Sequence, residues 1–247
     1  ECAGRYREGG RPGAALRFLG EMRRLRPRVA YAVDLAAATV SAGIGWKLLG
    51  RGRLVVDTGD AIFALARSAG LRGPVGLGLT WLLERVGLGV ADLVIVRGTR
   101  HRELLAARGI AAEVVPDGVD ASAFAPRDAS ALRARLGLEG KLVVGLVGTS
   151  TWSPRLGICY GWDLVEALGL LRDLPVAGLL VGDGSGIPVL EARCRELGIE
   201  DRLCFAGRVP YAELPGYLSA MDVCLSTQTN DVVGQVRTTG KLPLYLA

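Results

Sequence analysis

Short apolar runs alternate with longer segments of helical periodicity along most of this 247-residue chain, and that alternation limits its fold more than any other feature. A helix that follows a strand returns the chain to the start of the next parallel strand, so the pattern is typical of βαβ units. The apolar runs of the first half are residues 28–33, 53–57, 92–96 and 111–115. Because they are almost continuously hydrophobic, we expect an α/β protein whose sheets are covered on both faces.

A break in this pattern indicates two domains. Pro116, Gly118 and Pro126 lie in the break, where proline removes a ladder donor and glycine permits positive φ. Strand-like runs resume with residues 141–147. We predict an N-terminal domain of residues 1–126 and a C-terminal domain of residues 127–247. Since the chain begins without Met and ends within a helix-like segment, we interpret it as a fragment that lacks both ends, with both Rossmann-like domains incomplete.

The net charge of +5 is unevenly distributed, because the first 28 residues hold eight arginines against three glutamates. Leu16, Phe18, Leu19 and Leu25 are interleaved with these arginines. Two interpretations remain open: the segment lies on an anionic membrane surface, or it is a solvated helix face. Nucleic acid is not expected as a partner, since aromatic side chains that stack on bases are sparse.

No apolar run reaches the ~20 residues of a membrane span, so we expect a cytoplasmic protein that is at most peripheral to the inner membrane face.

Cysteine and histidine usage argues against a metal site. The five cysteines form no C-x-x-C pair and there is a single histidine, so no metal is expected. The thiols are predicted to be free and mostly buried. The histidine, His101, lies between Arg100 and Arg102 on a predicted helix, and we expect it to be exposed rather than catalytic.

Glycine and polar residues follow the predicted strands of the second half, at the strand ends where open α/β sheets bind ligands. Gly148 and Thr149 follow the first of these strands, Asp183 and Gly184 follow the second, and Val209 comes after the third. A missing side chain lets a phosphate approach the backbone, and a hydroxyl can donate to it. Each of these loops taken alone is also compatible with an ordinary turn.

The run before the last predicted helix predicts an anion site. It consists of Arg237, Thr238, Thr239, Gly240 and Lys241. Two cations, hydroxyls and glycine at a helix N-terminus act together on an anion, although a polar cap on a surface helix has the same composition.

Residues 182–186 resemble the glycine-rich fingerprint of dinucleotide-binding domains. That fingerprint belongs after the first strand of its domain, whereas these residues follow the second, so no cofactor is expected.

Further segments share an order and spacing with a known family. Residues 115–120 read Val-Pro-Asp-Gly-Val-Asp, residues 161–164 Gly-Trp-Asp-Leu, residues 181–184 Val-Gly-Asp-Gly, residues 205–207 Phe-Ala-Gly and residues 240–247 Gly-Lys-Leu-Pro-Leu-Tyr-Leu-Ala. Together they resemble the family 4 glycosyltransferases of the GT-B fold over nearly the whole chain. The resemblance implies two Rossmann-like domains that face a cleft.

This resemblance also implies an activity. The C-terminal domain would bind a nucleoside diphosphate sugar, the N-terminal domain would hold a lipid-linked or small acceptor, and the sugar would transfer with retention and without a metal. Gly148 and Thr149 would approach the diphosphate with the loop of Asp183 and Gly184, and Val209 would offer its backbone to the base. Residues 237–241 would cradle the phosphates. A leaving diphosphate gains negative charge in the transition state, which such cations stabilise.

One carboxylate of the N-terminal domain is the catalytic candidate. Asp60 keeps the acidic member of a His-Asp pair that the resembled family carries after a strand, with Gly59 at the histidine position. Its alternative interpretation is an Asx turn or a helix cap formed with Asp57 and Thr58.

Departures from the family pattern keep other functions open. The family places an arginine near Thr149, a lysine at the position of Tyr160, and glutamates at the positions of Val236 and Leu244. A degenerate GT-B protein that binds a glycan or a partner without catalysis is therefore one alternative. A GT-B sugar-nucleotide epimerase is another, although it would need more histidines than the sequence contains.

Overall fold

The computed structural model describes residues 13–50, 52–70 and 72–247. The chain forms two compact α/β units: the first is Glu1–Pro116 with Thr229–Thr238, and the second is Asp117–Gln228 with Thr239–Ala247. Twelve residues of the basic N-terminal segment therefore lie outside the described part of the chain. The division falls ten residues before the predicted boundary at residue 126, and it assigns Thr229–Thr238 to the first unit although the sequence placed that segment in the C-terminal domain.

The first unit is built on a parallel sheet of order β1-β2-β3-β4. Its strands are β1 (Val29–Val33), β2 (Arg53–Thr58), β3 (Leu93–Val96) and β4 (Glu113–Val114). Its first five helices are α1 (Ala14–Leu25), α2 (Ala37–Leu48), α3 (Ile62–Ala69), α4 (Pro74–Val90) and α5 (Thr99–Ala106). The strands and helices alternate as the sequence predicted.

Strand register aligns the carboxyl ends of this sheet. Val33 lies opposite Asp57, and Thr58 lies opposite Val96, so β1, β2 and β3 end at a common edge. The apolar core lies on the side of Ala30 and includes Trp46 of α2, which is fully buried. Residues following the three strands are thereby brought to one edge.

Only one face of β1 is covered in the described part of the chain. Ala30 and Ala32 are buried, whereas Val29, Tyr31 and Val33 on the opposite face are exposed. The prediction of a sheet covered on both faces is therefore wrong for β1. The described core of this unit packs on the alanine side, which leaves the other face of the strand in contact with solvent.

The second unit contains a parallel sheet of order β7-β6-β5-β8. Its strands are β5 (Leu142–Val147), β6 (Val176–Val181), β7 (Leu203–Gly207) and β8 (Val223–Cys224), and its helices before residue 228 are α6 (Ser130–Arg135), α7 (Trp162–Leu170), α8 (Ile187–Leu197) and α9 (Leu214–Ser219). Every residue of β6 is buried. Leu179 and Leu180 belong to different core clusters, so this sheet is covered on both faces as predicted.

Two short helices complete the chain. Helix α10 (Val232–Val236) packs against α3 and α5 of the first unit, and α11 (Lys241–Leu246) belongs to the second. Asp231 caps α10, since its carboxylate accepts a hydrogen bond of 3.0 Å from the amide of Gly234. Among the described helices, none combines the length and the apolar character needed to cross a membrane.

Candidate functional sites

Gly148 follows β5 and is the point where a lysine approaches the backbone of the second unit. Its φ of 150° lies outside the range that other residues readily adopt. A Cβ atom at this position would lie 2.6 Å from Nζ of Lys241. The lysine amine can therefore rest against the β5 loop only because residue 148 has no side chain. The structure thus brings together two of the residues predicted to contact a diphosphate.

An aromatic ring sets the position of this amine. Lys241 Nζ lies 3.7 Å from the ring centroid of Tyr160, within cation–π distance. The Tyr160 hydroxyl donates to the carbonyl oxygen of Leu225 at 3.1 Å, which fixes the ring. Burial raises the pKa of Tyr160 far above its ordinary value, so the phenol stays neutral. Tyr160 occupies the position where the resembled family has lysine, and the cation beside its ring is that of Lys241, the first residue of α11.

A second tyrosine joins α11 to the end of β5. The hydroxyl of Tyr245 accepts a hydrogen bond of 2.9 Å from the amide of Val147. Burial raises the pKa of Tyr245 as well. Because Lys241 and Tyr245 are one turn apart on α11, this hydrogen bond holds the lysine beside Gly148. We call Gly148, Tyr160, Lys241 and Tyr245 the lysine pocket.

The neighbouring loop after β6 is packed backbone to backbone with the β5 loop. The amide of Ser150 donates to the carbonyl oxygen of Asp183 at 2.8 Å. A Cβ atom at Gly184 would lie 2.4 Å from the carbonyl oxygen of Ser150, so glycine is required there. Thr149 and Asp183 are exposed beside these contacts. Val209, after β7, packs against the core of the second unit and is half-buried.

The predicted anion run 237–241 is divided between the two units. Arg237 and Thr238 belong to the first unit, whereas Thr239, Gly240 and Lys241 belong to the second. In the first unit, Nε and Nη2 of Arg237 donate to the two carboxylate oxygens of Asp60 at 2.8 and 3.2 Å. The arginine predicted to hold phosphate thus forms a bidentate ion pair with the predicted catalytic carboxylate.

The contacts of Thr238 and Thr239 differ accordingly. Thr238 lies against Gly98. A Cβ atom added at Gly98 would lie 2.6 Å from the hydroxyl oxygen of Thr238. The hydroxyl of Thr239 is 3.4 Å from that of Ser226, after β8. A Cβ atom at Gly240 would lie 3.5 Å from the carboxylate of Asp117, which is an ordinary contact. The contacts described for these three residues therefore lie within their own units, and their role toward a phosphate stays a prediction.

A second carboxylate at the same edge was missed by sequence reasoning as a site residue. Asp57, near the end of β2, is buried, and its Oδ2 accepts hydrogen bonds from the hydroxyl of Tyr31 and from Nη2 of Arg97 at 2.9 Å. Arg97 directly follows β3 and also donates to the carbonyl oxygen of Val115. The sequence did contain a signal for this pair, because Asp57 and Arg97 are charged residues at the ends of two adjacent strands, where ligands bind in such sheets.

His101 corrects a sequence prediction, because its side chain is buried rather than exposed. Leu105, one turn later on α5, is also buried, so His101 lies on the core face of that helix. Its Nδ1 atom has no hydrogen-bond partner among the described residues. Burial lowers the pKa of His101 while the carboxylate of Asp60 raises it, and burial is the larger cause. The helical spacing of His101 and Leu105 was the signal that could have predicted burial.

Asp34 is the third carboxylate at this edge. It directly follows β1 and has a left-handed φ of 54°, a conformation that Asp adopts more readily than most residues. Desolvation raises the pKa of Asp34, the negative charges of Asp60 and Asp57 raise it further, and the positive charge of Arg97 lowers it in part. We call Asp34, Asp57 and Asp60 the carboxylate edge.

Metal and thiol chemistry have no arranged site in the described residues. No group of three His, Cys, Asp or Glu side chains there is placed to hold a metal ion. The described cysteines, namely Cys159, Cys194, Cys204 and Cys224, are all free, and burial raises the pKa of each thiol.

Comparison with known proteins identifies similar sequences. The chain is 34% identical over 161 residues to a 2-deoxystreptamine glucosyltransferase of Streptomyces kanamyceticus, a match that covers 62% of the chain and 40% of that protein. It is 37% identical over 148 residues to a GDP-mannose-dependent alpha-(1-6)-phosphatidylinositol monomannoside mannosyltransferase of Mycolicibacterium smegmatis, covering 57% of the chain and 37% of that protein. The chain thus spans less than half the length of these relatives. No model of a known protein family matches it.

Comparison with solved structures identifies the fold. HepE of Anabaena, solved in complex with UDP, matches with a TM-score of 0.64 at 23% sequence identity, and the match covers 85% of the chain and 55% of that protein. The part of this chain that the structure describes contributes two parallel four-stranded sheets with helices to this match. The chain is therefore similar in sequence to two glycosyltransferases, and it has the GT-B fold that its resemblance to family 4 predicted.

Proposed function

We propose that the chain is part of a glycosyltransferase that moves a sugar, with retention, from a nucleoside diphosphate sugar to a small or lipid-linked acceptor. The second unit would bind the donor and the first unit the acceptor. The observation that carries the proposal is the lysine pocket, where Lys241 Nζ is held against Gly148 at the carboxyl end of β5. The sequence similarity to a glucosyltransferase and a mannosyltransferase supports the reaction class.

The lysine pocket suits a diphosphate for electrostatic reasons. During transfer, the bond between the anomeric carbon and the diphosphate oxygen breaks, and a bond from that carbon to an acceptor hydroxyl oxygen forms. The hydroxyl proton passes to the departing diphosphate, so the atoms balance. Negative charge grows on the leaving group, and a cation already in place stabilises it without reorganisation. Gly148 adds a backbone surface that a phosphate can approach, with the Thr149 hydroxyl beside it.

Calorimetry with UDP and GDP tests donor binding. One of the two nucleotides is expected to bind, since HepE was solved with UDP and the mannosyltransferase relative depends on GDP-mannose. Lys241→Ala should weaken that binding by about tenfold or more, because a charge-assisted contact contributes about 1.5–3 kcal/mol. The matched control is Lys141→Ala, which removes a half-buried lysine of the same unit whose amine donates to the carbonyl oxygen of Gly137 at 3.1 Å. Absence of binding to both nucleotides, or equal losses in the two variants, would contradict the proposal.

A non-catalytic binding protein is the second candidate. The positions where the resembled family carries glutamates hold Val236, which is buried, and Leu244, which packs against the core of the second unit. Neither side chain can accept a hydrogen bond from a ribose hydroxyl. Sustained sugar transfer to any acceptor that disappears in Lys241→Ala would exclude this candidate, whereas nucleotide-independent glycan binding would favour it. Incubation with UDP-N-acetylglucosamine alone tests the epimerase alternative, for which we expect no turnover.

Association with an anionic membrane surface stays a proposal for the basic N-terminal segment. Helix α1 carries Arg17, Arg23 and Arg24, and its Leu16 is exposed. Such a helix is suited to the headgroup region of a membrane at the cytoplasmic face. Flotation with vesicles that contain or lack phosphatidylglycerol tests this, and binding to neither vesicle would leave α1 as a solvated helix.

A further inference from the structure

Helix α4 of the first unit presents a line of apolar side chains to solvent. Val75, Leu79, Leu82 and Val86 follow one another along the helix at helical spacing, which places them on one side of it. Val75 is 88% exposed, Leu79 55% and Leu82 48%. Four exposed aliphatic side chains in one line form a continuous apolar surface, whereas single exposed ones are ordinary. We call these four residues the α4 stripe.

The opposite side of α4 is packed firmly within the first unit. Thr80, Glu84 and Leu88 are buried there, and the helix packs against α2 and α3. A Cβ atom added at Gly87 would lie 2.6 Å from Cγ1 of Val40, so α2 and α4 are in close contact. The α4 stripe is therefore the outward side of an anchored helix, and a partner can reach it while the unit stays folded.

The exposed charges near the α4 stripe are positive. In segment 61–91, the exposed charged residues that the structure describes are Arg67, Arg72 and Arg85. The acidic residue of that segment, Glu84, is buried and accepts a hydrogen bond of 2.7 Å from the amide of Phe63. An apolar line accompanied by exposed arginines is complementary in charge to an anionic surface.

A tryptophan and an arginine lie at the border of the α4 stripe. Trp81 is 47% exposed, and the guanidinium carbon of Arg85 lies 5.7 Å from its ring centroid. Because Arg85 comes three residues after Leu82 on the helix, it lies beside the stripe. Tryptophan and arginine occupy the headgroup level of a bilayer when neighbouring aliphatic side chains enter the acyl region.

We propose that α4 is an interfacial helix that lies flat on a bilayer of anionic phospholipids, with the α4 stripe among the acyl chains and Arg85 at the headgroup phosphates. The stripe extends along about 16 Å of the helix, parallel to its axis, so the axis lies in the membrane plane. This inference goes beyond the proposed function, because it assigns a membrane contact to α4 and is independent of the donor. It is also independent of the basic segment at α1.

Two observations favour a bilayer over a second copy of the chain. Four partly exposed aliphatic side chains offer much less than the ~800 Å² that each partner contributes to a standard protein interface. A symmetric pair would also gather the arginines of two copies around one small apolar contact, and like charges brought together are costly. An anionic bilayer accepts a narrow apolar stripe and neutralises the arginines.

Vesicle flotation of the full chain without nucleotide tests the inference. The vesicles contain phosphatidylcholine alone or mixed with phosphatidylglycerol, and we expect binding to the mixed vesicles. Leu79→Ser combined with Leu82→Ser should weaken that binding by at least about tenfold, because it removes the apolar insertion. Arg85→Gln should weaken it by about fivefold. The matched control, Leu170→Ser with Leu174→Ser, replaces two exposed leucines of the second unit and should bind as the unsubstituted chain does. Thermal melts check that the variants fold.

Lipids with brominated acyl chains locate the contact. Bromine quenches tryptophan fluorescence only at short range, so vesicle binding should quench the fluorescence added by Leu79→Trp and leave that added by Leu174→Trp unchanged. This measurement separates α4 from α1, whose arginines could hold the chain at the vesicle surface without insertion of α4. Arg23→Gln with Arg24→Gln should leave the quenching in vesicle-bound Leu79→Trp unchanged.

The outcomes separate this inference from the other proposals. Absence of binding to both vesicles overturns it, as does flotation that the two serine substitutions in α4 leave unchanged. Binding without quenching of Leu79→Trp overturns it in favour of α1. A dimer in light scattering that the same two substitutions abolish overturns it in favour of a second copy. Flotation that depends on the α4 stripe supports it even if neither UDP nor GDP binds, in which case the transferase proposal fails alone.

Discussion

Substitution of Gly148 by alanine probes the lysine pocket through two separable costs. The added Cβ atom would lie 2.6 Å from Nζ and 2.9 Å from Cε of Lys241, and 3.2 Å from Cε1 of Tyr160. Ordinary carbon contacts are about 3.5–4.0 Å, so the lysine must withdraw by about 1 Å. Residue 148 also has a φ of 150°, which costs a side-chain-bearing residue about 1–3 kcal/mol.

The withdrawal should be visible in nucleotide binding as well as in stability. Displacing the amine from the Tyr160 ring forfeits a cation–π contact of about 0.5–2 kcal/mol and moves the charge away from the β5 loop. We expect Gly148→Ala to lose about 2–4 kcal/mol of unfolding free energy in urea denaturation. We also expect its affinity for UDP or GDP to fall by about tenfold or more.

Gly140→Ala is the matched control for Gly148→Ala. Gly140 belongs to the same unit and also has positive φ, 69°, but a Cβ atom there would meet nothing within 4 Å. It should therefore lose stability through backbone strain alone and keep its nucleotide affinity. The reasoning is refuted if Gly148→Ala binds the nucleotide as tightly as the unsubstituted chain, or if it is no less stable than Gly140→Ala.

Three other perturbations give expected outcomes. In a double-mutant cycle of Asp60→Asn and Arg237→Ala, urea denaturation should give a coupling energy of about 1 kcal/mol, because the pair is partly exposed; additive effects would contradict a bound pair. Asp231→Ala should cost about 0.5–2 kcal/mol by removing the cap of α10, and an unchanged urea midpoint would show that the cap contributes nothing. Burial raises the pKa of Glu84, so the folded chain holds that proton more tightly than the unfolded chain. Stability should therefore fall as pH rises from 4 through the raised pKa, and melting scans at about pH 4–8 should show a smaller fall in Glu84→Gln.

The alternating pattern predicted the two parallel sheets well because strand and helix periodicity are local properties. Residues 141–147 were predicted as a strand, and the structure has β5 as Leu142–Val147. Gly148 was predicted to let a phosphate approach the backbone; the structure brings the amine of Lys241 to it, and the phosphate contact stays a prediction. A strand end followed by glycine is a signal that needs no tertiary information.

What the sequence could not predict depends on contacts between distant segments. Arg237 and Lys241 are four positions apart, yet they belong to different units, because α10 buries Val236 against the first unit before the chain turns away. Nothing local in a polar run reveals such a division. His101 was misplaced for a related reason, since its arginine neighbours indicate an exposed helix while its own position faces the core.

The assignment of Thr229–Thr238 to the first unit has a practical consequence for dissecting this molecule. A truncation after residue 116 would not release an intact first unit, since it would also delete α10 and uncover the apolar surface of α3 and α5 that α10 packs against. No single cut of the polypeptide separates the two units. To isolate an intact first unit, residues 229–238 would have to be added as a separate peptide or joined by an engineered linker. The affinity of that peptide for the rest of the unit would measure how strongly the segment binds.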